Sequence, residues 1–365
     1  RSSNGVEIYA MGELFRDRLD GSLEALRKHV SQHVNISDER CFVGWDAYQR
    51  VIDSGVDVVI LATPPHFRPM HLKAAVEAGK HVFMEKPVAV DPVGVRSVIA
   101  SSELAEKKGL AIVAGTQRRH QAHYIEIIKR IHAGAIGKIL AASCYWNGGG
   151  WDGPGGKPDG MSDMEYQVRN WFHFTWLSGD EIVEQHIHNI DVVNWAIGTN
   201  PVTAYGMGGG EVRKGDGNIY DHFAVEFEYP NGVRVSSMCR HMDGCTERVS
   251  ERIVGTKGVA YLDGATGWIE GSNQYQYEGE SWNPYVREHA DLIASIRSGK
   301  VLNEGKQVAK STLTAIMGRM SAYTGRALKW DWAMKASKLD LSPSRYEFGD
   351  LPVRPIAVPG KTPLI

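Results

Sequence analysis

Two groups of residues, far apart in the chain, have the types needed for proton transfer. Glu85 and Lys86 follow the apolar run Val82-Phe83-Met84 and lead straight into Pro87. A lysine beside a reacting hydroxyl can help remove its proton, and its ammonium can stabilise the developing alkoxide. A solvated Glu-Lys pair in a turn would have the same spelling. The second group is Glu184, His188 and Asp191. At ~100° per residue of helix these three fall within about 60° of one another. An imidazole tuned by a nearby carboxylate titrates close to neutrality, as acid–base catalysis requires. A polar stripe lining a domain interface would show the same spacing. His186 points away from His188 on that helix, so His-x-His does not offer two ligands on one side, and no metal site is expected.

The elements that must position these residues alternate in type. Val6 to Met11 is expected as a first strand, followed by a helix from Asp20 to His29 with Leu19, Leu23, Leu26 and Val30 on one stripe. Cys41-Phe42-Val43 is a short strand and Ala47 to Ile52 a short helix. Val56 to Ala62 is a buried strand ending in the stiff turn Thr63-Pro64-Pro65-His66, and the helical run His71 to Ala78 ends at Gly79. The strand that delivers Lys86 comes next, then a helix from Pro92 to Lys108 and a strand from Leu110 to Ala114. This alternation predicts a doubly wound parallel sheet, in which ligands bind at the carboxyl ends of the strands. Such a sheet usually opens with a strand and a G-x-G-x-x-G turn against a pyrophosphate, and an acid ending the next strand holds the ribose. Glu13 stands where that acid belongs, but no such turn precedes it, which reads as a chain lacking its first strand and loop. A carboxylate there favours NAD over NADP, whose extra phosphate it would repel.

After Gly115 the pattern changes. A polar cluster, Thr116 to His120, leads into a helix from Ala122 to Ala133 and a strand from Lys138 to Trp146. Asn147 to Gly179 reads as a long loop rich in glycine and tryptophan. Within it Asp152, Arg169, Trp171, His173 and Trp176 suit a surface facing sugar rings or a subunit, or packing of the loop on its own domain. Asp180 to Trp195 reads as one helix capped by Asp180. Beyond it come antiparallel candidates around Val202–Met207, Phe223–Tyr229, Val233–Met238, Arg248–Val254 and Val259–Leu262, with a hairpin turn at Pro230-Asn231-Gly232. Helices near Pro284 to Ser298 and Gln307 to Thr324 precede an irregular tail after Trp332.

Composition narrows the partners. The 365 residues allow two domains; 42% are hydrophobic and 23% charged, and the formal net charge is −2. Neither nucleic acid nor an anionic membrane is an expected partner, and no apolar run approaches the ~20 residues of a membrane span. Cys41, Cys144, Cys239 and Cys245 are scattered, form no C-x-x-C pair and read as ordinary buried thiols; nothing in the sequence supports a Cys239–Cys245 bridge. No signal-peptide pattern is read in the sequence, but Arg1-Ser2-Ser3-Asn4-Gly5 reads like the middle of a protein, so this end leaves the export question open.

Glu85-Lys86-Pro87 ending the fifth strand of a complete sheet, followed by Glu184-x-x-x-His188-x-x-Asp191 in a mixed domain, resembles the Gfo/Idh/MocA oxidoreductase family from Val6 to about Thr324. The family's usual second motif begins with Asp, so Glu184 is a departure that keeps the charge and lengthens the arm. The resemblance implies an NAD(P)-binding Rossmann-like doubly wound sheet plus an α+β domain with an open, mainly antiparallel sheet. The divisions it suggests are 1–117 for the dinucleotide domain, 118–304 for the substrate and oligomerisation domain, 305–332 for a helix packing back on the first domain, and 333–365 for a tail. It implies hydride transfer between nicotinamide and a sugar or polyol carbon. Lys86, His188 and Glu184 would move protons, and Asp191 would fix the imidazole or bind substrate. Glu13, Thr63, Pro64, His66, Glu85, Lys86 and Gln117 would line the cofactor. Arg118, His120, Tyr124, Arg169 and Trp171 are further substrate candidates. Pro87 is expected to follow a cis bond. A homo-oligomer through the antiparallel sheet is expected. The run Trp171 to Trp195 looks like a subgroup exported through a twin-arginine signal, which leaves cytoplasm and periplasm both open. Two competing readings are an NAD-dependent glycoside hydrolase working through a transient keto-sugar, and a non-catalytic NAD- or sugar-binding subunit.

Overall fold

In the computed structural model, which describes residues 3–365, the parallel strands fall into two separate ladders. β1 (Met11–Glu13) is followed by α1 (Arg16–Val30), and pairs in parallel with β2 (Cys41–Val43). The first strand therefore lies later than the sequence pattern places it, and Ile8 makes only an isolated bridge to Val34. After α2 (Ala47–Asp53) comes the second ladder. β3 (Val58–Leu61), α3 (Arg68–Glu77), β4 (His81–Met84), α4 (Pro92–Lys108) and β5 (Ile112–Ala114) alternate as expected, with strand order β3-β4-β5. No ladder joins β1 to β3 among the described residues, and Ile60 on β3 is 63% exposed. In a complete dinucleotide sheet the strand bearing the glycine turn lies between these two.

Local chemistry sets the ends of the helices. Gly79 takes φ 74°, and the Lys80 amide donates to the Ala75 carbonyl, closing α3 with the left-handed cap its glycine predicts. Asp91 caps α4 by accepting from the Gly94 amide at 2.7 Å, and Gly109 ends it at φ 67°. Among the described residues no helix is long and apolar enough to cross a membrane.

The second half is built on one nine-stranded sheet. α5 (Ala122–His132) leads into β6 (Ile139–Gly148). The expected long loop instead folds into α6 (Asp163–Arg169) and α7 (Thr175–Ser178), whose Met164, Val168 and Leu177 are buried together with Phe174, the residue before α7. The single helix expected next is two: α8 (Glu181–Glu184) and α9 (Ile187–Ile197). Then come β7 (Thr203–Gly209), β8 (His222–Glu228), β9 (Arg234–His241), β10 (Arg248–Gly255), β11 (Gly258–Asp263), β12 (Gly267–Gly271) and β13 (Tyr275–Gln276). α10 (Pro284–Ser298), α11 (Gly305–Thr324), β14 (Leu328–Lys329) and α12 (Trp330–Lys335) complete the elements. Strand order is β13-β12-β11-β10-β6-β9-β8-β7-β14, antiparallel except for β6 beside β9. α9 and α11 cover one face of this sheet, and α11 also packs on α4, so it joins the two halves. The tail is irregular but fixed: the Leu341 amide donates to Asp91, and Tyr346 meets His66. The four cysteines are free.

Candidate active site

The ends of β3 and β4 are held together by a residue that sequence patterns do not single out. Arg68, 1% exposed, donates to the Glu85 carbonyl (2.9 Å), the Thr63 carbonyl (2.7 Å) and the Thr63 hydroxyl (3.3 Å). A buried guanidinium needs acceptors, and two strand-end carbonyls supply them. Burial lowers its pKa to about 10, so the cation persists at neutral pH. The Glu85 carboxylate lies against Gly115, where a Cβ would come within 2.2 Å of its Oε2. The Lys86–Pro87 bond is cis.

Lys86 crosses to the second half of the molecule. Its ammonium is 2.8 Å from the Glu184 carboxylate and also donates to the Glu184 carbonyl, and both side chains are about nine-tenths buried. That carbonyl is free because the helix breaks here: the His188 amide turns to the Gln185 carbonyl at 3.4 Å instead of back to Glu184. The short helix before the break is opened by Asp180, a buried non-glycine residue at φ 76°. Its carboxylate accepts from the Glu181 amide (2.6 Å), the Tyr220 amide (2.9 Å) and the Tyr323 hydroxyl, which offsets the ~1–3 kcal/mol of strain in such a conformation. Ammonium groups carry three donors, so one N–H direction of Lys86 is left for a ligand.

His188 lies close to this pair, its ring stacked on Trp146 at 5.7 Å. Burial, then the charges of Lys86 and Arg118, hold its pKa well below the usual imidazole range, so the ring is neutral. Its Nδ1 has no partner among the described residues. Two expected roles therefore change. Glu184 engages Lys86 and Gln185 and makes no hydrogen bond to His188, so it is not the carboxylate that tunes the imidazole. Asp191 is closed off by Arg119 (2.7 and 2.9 Å) and by the Ser311 hydroxyl (2.7 Å), so it neither fixes the imidazole nor faces a substrate.

The other candidates divide. Arg118 forms a fully buried ion pair with Glu251, which Tyr124 (3.1 Å) and Asn189 (2.7 Å) also contact; this network lies behind the site. His120 sits between Asp291 (2.7 Å) and Glu304 (3.3 Å), which outweigh burial and raise its pKa. Arg169 pairs with Asp17 and Glu165 over the Phe15 ring, joining α6 to α1 away from Lys86. Trp171 packs its edge on Phe172, and Trp176 is buried, donating to Gln167. His173 lies beside Arg213, and Asp152 accepts from the Lys214 amide.

On the cofactor side, one Glu13 oxygen accepts from the Leu14 (2.6 Å) and Phe15 (3.1 Å) amides, leaving the other oxygen for a diol. Thr63 is held by Arg68 and His71, next to Pro64. His66 is committed to the Tyr346 hydroxyl at 2.8 Å and packs on Trp176, a structural rather than an open position. Gln117 keeps its Oε1 without a partner among the described residues. A ribose and a nicotinamide thus find fitting groups at Glu13 and around Thr63, Glu85 and Gln117. No G-x-G-x-x-G turn stands among these residues for the pyrophosphate.

Two family descriptions match in tandem: "Oxidoreductase family, NAD-binding Rossmann fold" over residues 21–129, and "GFO/IDH/MocA C-terminal domain" over residues 124–261. The chain belongs to the Gfo/Idh/MocA oxidoreductase family. It is 31% identical over 182 residues to inositol 2-dehydrogenase 4 of Saccharopolyspora erythraea, covering 50% of this chain and 49% of that one. It is 24% identical over 220 residues to the scyllo-inositol 2-dehydrogenase (NAD(+)) of Bacillus subtilis, covering 60% and 58%. The chain thus spans about half the length of these curated relatives. Among solved structures, the aldose-aldose oxidoreductase of Caulobacter crescentus superposes with a TM-score of 0.67 at 21% identity, covering 88% of this chain and 91% of that one. That likeness concerns the fold, a Rossmann-like parallel sheet with a large mixed sheet.

Proposed function

We propose that the protein is an NAD-dependent oxidoreductase acting on the CH–OH group of a sugar or polyol. The observation that carries this reading is the Lys86–Glu184 pair spanning the two sheets beside neutral His188. Bound NAD would supply the hydride acceptor, with Glu13 holding its ribose and Thr63, Glu85 and Gln117 near its nicotinamide. Lys86 would direct its third N–H to the reacting hydroxyl and stabilise the alkoxide. His188, uncharged, can accept a proton at a ring nitrogen, and Glu184 holds the Lys86 ammonium in place. The test is NADH formation with myo-inositol, scyllo-inositol and common aldoses, comparing parent with Lys86→Met. Turnover should fall by roughly 10²–10⁴-fold with NAD affinity retained. Equal turnover in K86M refutes the assignment. Aglycone release from aryl glycosides without net NADH would favour the hydrolase reading, and NAD binding without turnover of either class would favour a binding subunit.

A homo-oligomer through the uncovered face of the nine-stranded sheet is part of this proposal. Met207, Ala224, Met238 and Tyr145 align across four strands there, with Met207 66% and Met238 41% exposed. Light scattering should report at least a dimer at micromolar protein, and a monomer would remove it.

A further inference from the structure

Next to Glu181, one helical turn before Glu184, stands a second built feature that the reaction above does not use. β9 ends at His241, which pairs with Gly148 on β6 and shares the inner face of the sheet with Cys239 and Trp146. His241 is 6% exposed, and its Nδ1 is 3.0 Å from the carboxylate of Glu181, one helical turn before Glu184. Over its ring lies Trp151, with centroids 5.3 Å apart, and Phe172 meets the same indole edge-on at 4.8 Å. Trp151 itself is 52% exposed, so while part of the indole covers His241 the rest is open to solvent.

The chain on both sides of Trp151 is pinned. The Gly150 amide donates to Asp243 at 2.8 Å, the Gly153 amide to the Lys214 carbonyl at 2.6 Å, and the Trp151 carbonyl accepts from Arg213. A Cβ at Gly153 would come within 2.1 Å of the Asp216 carbonyl oxygen, so this close seating requires glycine. A large apolar ring held half in water by a backbone this constrained loses the contact energy that burial would give, and flanking hydrogen bonds make up for it. The imidazole beneath it is uncharged. Burial, then Asp180, pushes Glu181 well above the usual carboxylate range, and burial, then Arg213, brings His241 down to about 4. The His241 imidazole is therefore neutral at neutral pH. The open indole face thus lies over a neutral, polarisable base rather than an ion that would demand water.

We propose that Trp151, seated on His241 and Phe172, is a subsite for a second sugar ring, so that the preferred substrate is a disaccharide or glycoside rather than a free monosaccharide. The subsite rests on the reading that the Lys86–Glu184 pair marks the reacting sugar. The two places are linked along the sheet: Trp146, stacked on His188, pairs with Cys239, and His241 under the indole follows two residues on, so a substituent on a ring held at that pair would extend along this face. Its C–H face stacks there, as apolar faces of sugars do on aromatic rings. Neutral His241, whose Nε2 faces away from Glu181, is the polar group available to a hydroxyl of that second ring.

The test uses the whole chain and binding, which does not depend on which carbon reacts. Cellobiose, maltose, lactose and melibiose are titrated against glucose, galactose and their methyl glycosides, following ligand ring protons by saturation-transfer NMR. At least one disaccharide should bind about three- to tenfold more tightly than either of its monosaccharides. Trp151→Ala should bring that ratio close to one, and Trp151→Tyr should keep most of it. The proposal is overturned if no disaccharide is preferred, or if the preference survives W151A. The melting temperature of W151A, a change on an exposed loop, checks that the fold is intact. Turnover separates the two readings. Turnover without disaccharide preference removes the subsite and leaves the oxidoreductase standing. A Trp151-dependent preference with no NADH formed from any of these sugars does the reverse.

Discussion

The pairing of Lys86 with Glu184 can be tested by stability alone, without knowing the substrate. The two charges are 2.8 Å apart, with side chains 12% and 10% exposed. At an effective dielectric of about 20 their direct attraction is on the order of 6 kcal/mol, most of it offset by lost hydration. Removing one partner leaves the other charge buried, which typically costs about 3–5 kcal/mol. Lys86→Met strands the Glu184 carboxylate with only the Gln185 amide at 2.8 Å, so a loss near 3 kcal/mol is expected. Glu184→Gln is milder, about 1–2 kcal/mol, because the backbone carbonyl and an amide oxygen still accept from Lys86. In the K86M background the carboxylate is a liability, so adding E184Q should cost nothing or restore stability. Urea unfolding of the four proteins should give a coupling of at least ~1.5 kcal/mol. Additivity within ~0.5 kcal/mol would mean that the two residues do not share this geometry, and the proton-transfer assignment would fall with it.

Other outcomes follow from the same geometry. Arg68→Met removes the donor from two strand-end carbonyls and should cost about 3 kcal/mol in urea unfolding; a loss below ~1 kcal/mol would show that Arg68 does not hold the crevice together. Gly115→Ala drives a methyl into the Glu85 carboxylate, the movable end of a side chain, so stability should change by under ~1 kcal/mol while NAD affinity falls severalfold by calorimetry. Unchanged affinity would take Glu85 out of the cofactor side. Stability should peak near pH 6.5. Asp91, Asp180, Glu181, Glu251 and Glu288 are pushed up by burial, Asp180 to about 6, Glu251 to about 7 and Glu288 to about 8. From pH 8 downward the folded chain therefore binds protons the unfolded chain refuses, and stability rises. Below 6.5 the order reverses. His66, His71, His81, His123, His173, His186, His188, His241 and His289, all lowered mainly by burial, stay neutral when folded and take protons when unfolded, nine against the five carboxylates. Urea midpoints that rise steadily from pH 5 to 8 would contradict this balance.

The sequence by itself determined the parallel half almost element by element. Apolar runs such as Val82 to Met84, the Gly79 and Gly109 caps and the Asp91 cap are local signals, each read within one turn or strand. The two motifs Glu85-Lys86-Pro87 and Glu184–Asp191 were legible as well, and the fold brings Lys86 of the first onto Glu184 of the second. Tertiary structure decided which charge meets which. A continuous helix would have grouped Glu184, His188 and Asp191. The strained turn at Asp180 and the break after Glu184 instead send Glu184 to Lys86 and leave Asp191 to Arg119. Neither the strain nor its compensation by Tyr220 and Tyr323 has a local signature, since the stabilising groups come from distant strands and helices. Trp151 shows the same limit. One of several tryptophans in a glycine-rich run, it is set apart only because folding buries Trp176, covers part of Trp171, and leaves Trp151 open over His241. Burial is a property of the assembled chain, and it decides which of these side chains can act on a ligand.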